Sequence, residues 1–328
     1  MTEANAHNSL LAFSRSLAKA VGRVNPAIVA IEARPRVATS GVVWRDGVIV
    51  STNHTVQRDE EITVQLADGR RLPANLVGRD PSTDLAVLRV EADQTLGIDP
   101  VTTTAHNELE VGNLTVAVGR IHRGVTASFG IVSALSDKWR SWRGGEIDRL
   151  IRPDVSVFIG FSGGALIDVE GRVIGINTTG LARGAGLTIP ASTVNHVVDT
   201  LLEHGRIARP YLGVTMQPVT LPAELRSKLN LPNETALVML SVEAESPAGH
   251  AEITLGDVLV TLEGEPVADT DDVQTVLNRS QIGQAIRASI LRGGELRDVT
   301  LTLAERPGEK VSDCHESRHR WGRSRWRR

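Results

Sequence analysis

Gly160-Phe161-Ser162-Gly163-Gly164 lies between an apolar run that ends at Ile159 and a strand-like run that begins at Ala165. Glycine on both sides of a serine lets the backbone turn sharply, so the hydroxyl projects and neighbouring N–H groups can converge on one point. An acyl-transfer nucleophile needs that geometry, but the same residues also describe an ordinary tight turn. Two distant residues bear on the choice. His54 stands in Ser51-Thr52-Asn53-His54-Thr55-Val56, just past a hairpin turned by Arg45-Asp46-Gly47. Alone it reads more often as a structural or surface histidine than as a catalytic one. Asp84 closes Asp80-Pro81-Ser82-Thr83-Asp84 and opens a strongly apolar strand; alone it reads as a turn-capping carboxylate.

Composition bounds the rest. The chain has 328 residues, 41% hydrophobic and only 3% aromatic, with 30 Gly and 14 Pro. Short Val/Ile/Leu runs broken by Gly and Asp predict a mainly β architecture with many turns and room for two domains. The one cysteine, Cys314, excludes an intrachain disulfide. No stretch approaches a membrane-spanning length, and residues 1–30 lack the pattern of an export signal, so the expected compartment is the cytoplasm. If the true start lies upstream, a periplasmic or membrane-associated place is the alternative. Net charge is −3. The Arg-rich residues 307–328 hold seven basic and three acidic residues, +4, which leaves −7 on residues 1–306 and argues against nucleic acid as a partner of the body.

Along the chain, Leu10, Phe13, Leu17 and Val21 predict a helix over 9–21 ending at Gly22. Hairpins are expected around Asp46-Gly47, Asp68-Gly69 and Glu170-Gly171. Residues 138–149, with two Trp, several Arg and Gly144-Gly145, read as an exposed mobile loop. Ser192 is expected to cap a helix with Val194, Val197, Val198, Leu201 and Leu202 on one face and Gly205 past its end. From Tyr211 a new set of short strands begins, joined by a helix over 269–278 with Val273, Val276 and Leu277 inward. The expected organisation is therefore an N-terminal helical segment at 1–22, a double-barrel domain at 23–205, a small β-rich domain at 210–306 and a disordered tail at 307–328.

His54, Asp84 and Ser162 occur in one of the chain orders used by serine-protease triads. In that reading Ser162 attacks a peptide carbonyl, His54 moves the proton, Asp84 fixes the imidazole, and the N–H groups of Gly160 and Ser162 form the oxyanion hole. Val50-Ser51-Thr52-Asn53-His54, Asp80 through Leu88, Gly160 through Gly164, Val173-Ile174-Gly175-Ile176-Asn177-Thr178 and Tyr211-Leu212-Gly213-Val214 together resemble the HtrA/DegP-like serine proteases over about residues 10–305. The resemblance implies a chymotrypsin-like double β-barrel followed by a PDZ domain, and a serine endopeptidase acting on unfolded or misfolded chains. It further implies that Tyr211, Leu212, Gly213 and Val214 hold peptide C-termini, and that subunits assemble as trimers or larger through the segment near Phe13.

The chain departs from the family's pattern at Phe158-Ile159, Phe161 and Gly119-Arg120-Ile121-His122. Phe161, a large apolar side chain beside the nucleophile, is expected to find its pocket only when a ligand or neighbouring subunit orders 138–149. The rival function is a peptide-binding or chaperone-like protein of the same fold that cleaves weakly or not at all. Arg318 to Arg328 with Trp321 and Trp326 read as a solvated tail rather than an anionic-surface binder. Cys314, His315 and His319 are too few and too loosely placed to expect a metal, and no cofactor is implied.

Overall fold

A computed structural model describes residues 3–305 apart from 36, 91–96, 105–107, 122–123, 142–143, 183–185 and 232. The tail at 307–328, with Cys314, His315 and His319, lies outside the described residues. The chain divides into two compact units, Met1–Ile207 and Ala208–Arg328.

The first unit opens with helix Glu3–Val24, longer at both ends than its apolar spacing predicts. Gly22 does not end it, because it does not take the left-handed conformation of a helix stop; Pro26, in the following turn Asn25–Ala27, ends it. Six strands then close a barrel in the order Ile28–Glu32, Thr39–Arg45, Val48–Thr52, Leu85–Val90, Arg71–Asp80, Ile62–Gln65. A second barrel follows in the order Leu150–Asp154, Leu187–Pro190, Val173–Thr178, Ala165–Ile167, Leu114–Ile121, Gly124–Ser136.

Side chains alternate across a strand. In the first barrel Val43, Ile49, Ala86 and Leu88 share one core, while Val42, Val50, Leu85 and Val87 turn the other way into a second. In the second barrel Ala117, Leu166 and Ile174 share a third core, while Val116, Val118, Ala165 and Ile167 join Val42 and Val50. Both faces of these strands are therefore apolar: one fills a barrel and the other fills the seam between barrels. Runs such as 48–50 and 85–88 lack polar alternation for that reason. Helix Ala191–His204 lays Val194, Val197, Val198 and Leu201 on the same seam and ends at the left-handed Gly205. Its N-cap is Pro190 rather than Ser192, which sits inside the first turn, so the expected serine cap is absent.

Residues 138–149 also correct the sequence reading. Trp139–Arg140 and Glu146–Ile147 pair as a short hairpin, Ser141 and Ile147 are buried, and Ser141 Oγ donates to the Ser82 carbonyl in the turn that ends at Asp84. Polarity and glycine content read as exposure, whereas the segment is docked.

In the second unit five strands pair in the order Val214–Thr220, Thr235–Val242, Val258–Leu262, Ala285–Arg292, Glu295–Thr302, and Glu265–Pro266 pairs with the third of these. Helix Thr270–Arg279 is held by a capping box between Asp269 and Asp272, and it buries Val273, Val276 and Leu277 against Leu237, Leu259 and Ile286. Two short helices that periodicity does not reveal, Ala223–Leu229 and Pro247–His250, lie between strands.

Candidate active site

Strand register brings His54 and Asp84 together. Thr52 pairs with Leu85 at the ends of neighbouring strands, so the turn after Thr52 lies beside the turn before Leu85. Asn53 N–H donates to the Asp84 carbonyl at 3.0 Å and His54 N–H donates to Asp84 Oδ1 at 2.9 Å. His54 Nδ1 lies 2.7 Å from Asp84 Oδ2. An ionised carboxylate only accepts, so Nδ1 carries the proton and Nε2 is left with its lone pair. Asp84 has φ +58, a left-handed conformation that aspartate tolerates better than most residues. Its carboxylate accepts three hydrogen bonds, the third from Thr178 Oγ1 at the end of strand Val173–Thr178. Three donors around a buried carboxylate meet the cost of taking it out of water.

Ser162 belongs to the second barrel. Its loop is pinned by Gly163 N–H to the Asn177 carbonyl at 2.9 Å and Asn177 N–H to the Gly164 carbonyl at 2.8 Å. A Cβ at Gly163, φ +87, would lie 2.2 Å from the Ser40 carbonyl oxygen, so the second barrel can press this loop onto the first only with glycine there. The Gly160 carbonyl accepts from both Ser40 N–H, at 3.0 Å, and Ser40 Oγ, at 2.6 Å. Among the described residues, neither Gly160 N–H nor Ser162 N–H donates to a backbone carbonyl. Arg120, in the segment that departs from the family's pattern, donates its own N–H to Ser40 Oγ at 2.9 Å. Its guanidinium reaches the Ile28 and Asn25 carbonyls, and burial lowers its pKa from the ordinary value.

Phe161 is fully buried and packs with Ala117, Val132, Ile151, Leu166 and Ile174 inside the second barrel, its ring 5.4 Å from that of Phe158. The expectation that its pocket awaits residues 138–149 fails: the barrel's own strands supply it.

The predicted residues converge, with one exception. Ser162 Oγ pairs with Thr179 Oγ1 at 3.2 Å, and among the described residues no hydrogen bond joins it to His54. Residues 178–180 run between the serine and the His–Asp pair: Thr178 holds Asp84, Thr179 holds Ser162, and a Cβ at Gly180 would stand 2.5 Å from Asp84 Oδ2 and 2.8 Å from His54 Nδ1. Of these three, the sequence marks only Thr178, as the end of a resembling segment. Two hydroxyls and a glycine directly after a buried strand were the available signal.

Tyr211, Leu212, Gly213 and Val214 belong to the second unit. The Leu212 carbonyl accepts from Ala248 N–H at 3.0 Å and the Gly213 carbonyl from Glu243 N–H at 2.9 Å. Gly213 has φ +77, and a Cβ there would meet Ser246 at 2.0 Å.

Two families match the chain: a trypsin-like peptidase domain over residues 39–176 and a PDZ domain over residues 210–303. A protein named "Probable periplasmic serine endoprotease DegP-like" from Brucella suis is 36% identical over 291 residues, covering 87% of this chain and 56% of its own length. The chain therefore spans little more than half of that relative. "Protease Do-like 1, chloroplastic" from Arabidopsis thaliana is 30% identical, with 84% of this chain and 65% of that protein covered. Among solved structures, an HtrA-type protease AlgW with a tripeptide is 31% identical at TM-score 0.66, covering 89% of this chain and 98% of that one. A serine endoprotease from Yersinia pestis is 28% identical at TM-score 0.68, with 89% and 98% covered.

Proposed function

Because this chain belongs to the HtrA-type protease family, we propose that it is a serine endopeptidase whose catalytic group is His54, Asp84 and Ser162. The observation that carries the reading is the 2.7 Å contact of His54 Nδ1 with a buried, triply bonded Asp84, which leaves Nε2 with its lone pair as the base in this proposal. Ser162 Oγ adds to the scissile carbonyl while Nε2 takes its proton; the imidazolium, stabilised by Asp84, then protonates the leaving amine, and water repeats the cycle on the acyl-enzyme. The N–H groups of Gly160 and Ser162 receive the developing oxyanion, with the Gly160 carbonyl turned back onto Ser40. Resting contacts in such sites are often loose, and the Ser162–Thr179 pair is the resting partner of the nucleophile.

The substrates we propose are unfolded or misfolded chains, with the second unit holding peptide C-termini at 211–214. Exposed Leu10, Leu11, Phe13, Phe129 and Ile131 supply the apolar surface for a homo-oligomer of three or more subunits, and the Phe13 and Phe129 rings meet edge-on at 5.9 Å. No helix among the described residues is long and apolar enough to cross a membrane. We place the protein in the periplasm, following the names of its bacterial relatives, in place of the cytoplasm expected from sequence.

The test is cleavage of unfolded casein and labelling by a fluorophosphonate, with Ser162→Ala beside the parent. Labelling and cleavage lost together in the variant support the assignment. Casein binding without cleavage or labelling in the parent transfers the chain to the peptide-binding reading.

A further inference from the structure

Among the described residues, strand Val214–Thr220 is an edge of the second unit's sheet, paired on one side only, with Thr235–Val242. In an antiparallel ladder successive residues turn their N–H and C=O alternately toward the neighbour and away from it. Two bonds fix the phase here. Glu243 N–H donates to the Gly213 carbonyl at 2.9 Å, and Leu221 N–H donates to the Glu234 carbonyl at 2.8 Å, so positions 213 and 221 both face the neighbour. The register break in this pair falls on the neighbouring strand: Thr215 faces Ser241 and Met216 faces Met239, which leaves Leu240 as the extra residue. Alternation from 213 to 221 is thus uninterrupted, and Val214, Met216, Pro218 and Thr220 present their backbones to the open edge.

Pro218 has no N–H. A peptide whose carboxylate sits at 211–214 runs antiparallel to this strand. Its last residue donates to the Val214 carbonyl, and the residue two upstream exchanges both bonds with Met216. The residue four upstream meets only the Pro218 carbonyl, and its own carbonyl stays in water. We propose that Pro218 ends the pairing ladder, so that this edge takes C-terminal tails of about four residues and gains little from backbone further upstream. Exposed Pro218 also blunts the edge against pairing with a second long strand, as proline does on open sheet edges. This inference rests on the reading of 211–214 as a carboxylate site.

Fluorescence anisotropy on the full chain carrying Ser162→Ala, so that the probe is not cut, tests it. The probes are a tetrapeptide and a hexapeptide with free carboxyl ends, the same last four residues Ala-Leu-Val-Val, and Ala-Ala added upstream in the longer one. With Pro218 present the hexapeptide is expected to bind at most about threefold tighter, through its single bond to the Pro218 carbonyl, while Pro218→Ala tightens the hexapeptide by a further factor of about three to ten and leaves the tetrapeptide unchanged, one added hydrogen bond's worth. A hexapeptide already about tenfold tighter with Pro218 present, or a ratio that Pro218→Ala leaves unmoved, overturns the ladder argument while keeping the site. Binding of neither peptide, or equal binding of their C-terminal amides, overturns the carboxylate reading and this inference with it.

Discussion

The cleft between the two barrels and the open sheet edge of the second unit are built from opposite materials. In the cleft most contacts to Asp84 and Ser162 come from individual side chains, as when the His54 ring and Thr178 meet Asp84 and Thr179 meets Ser162, with the His54 backbone N–H beside them. At the edge the contacts are backbone, repeated every second residue, and a side chain matters chiefly where it removes a donor. The cleft therefore fails at single substitutions, whereas the edge degrades by steps. Burial sharpens the contrast, since Asp84 and Ser162 are enclosed while Thr215, Gln217, Pro218 and Thr220 are exposed.

The largest expected effect comes from Asp84→Asn. An amide presents N–H where Nδ1–H and Thr178 also donate, favours the wrong imidazole tautomer, and should lower kcat on a peptide substrate about ten-thousandfold. Tetrapeptide affinity at the sheet edge should stay unchanged in the same protein. A kcat within tenfold of the parent would remove Asp84 from the catalytic group. Next, Phe161→Ala empties a fully buried site and should cost about 3–5 kcal/mol of first-unit stability in chemical denaturation, against under about 1 kcal/mol of second-unit stability for exposed Pro218→Ala. Equal losses at the two positions would show that the loop does not draw its rigidity from the barrel core.

The same contrast separates what was legible in the sequence from what was not. The contact of His54 with Asp84 was legible because few residue types make such a pair and their order with Ser162 is one that triads use. The double barrel was legible from hairpin signals at 46–47, 68–69 and 170–171, although the reason its strands are apolar on both faces needs the seam. Residues 138–149 mislead because arginine, tryptophan and glycine describe a polar loop whether or not it docks; what buries Ser141 is the Ser82 carbonyl, a backbone group with no signature in sequence. Thr179 and Gly180 escape sequence reading for the same reason, their roles being set by what lies opposite. Pro218 stands in plain view, yet its meaning depends on strand parity, which two backbone bonds decide.

Gly180→Ala probes the close approach of residues 178–180 to the His54–Asp84 pair. The added methyl would stand 2.5 Å from Asp84 Oδ2 and 2.8 Å from His54 Nδ1, inside contact distance of both. One of the pair must move, and a displacement near 1 Å at a reacting group is worth about a hundredfold in kcat/KM. The unfolding midpoint should hardly change, because Gly180 is only partly buried. Full activity in this variant would mean that residues 178–180 yield without disturbing the imidazole, contrary to a cleft built of fixed side chains.

Thr179→Val asks for the smallest change and draws the comparison finest. Valine keeps the volume and removes the one hydroxyl that meets Ser162 Oγ, at 3.2 Å. Thr179 is exposed, so water can take the place of the lost group, and a neutral hydrogen bond exchanged for water is worth about 1 kcal/mol or less. Ser162 can keep Thr179 as a donor while giving its own proton to Nε2, so the pair need not break on the way to the acyl-enzyme. The expected result is kcat lowered about threefold with KM unchanged, and recovery in Thr179→Ser, which restores the hydroxyl. A rise in kcat would identify the threonine as a restraint that holds the nucleophile off the base. A fall beyond about a hundredfold would make Thr179 as indispensable as Asp84 and extend the fixed part of the cleft to its exposed rim.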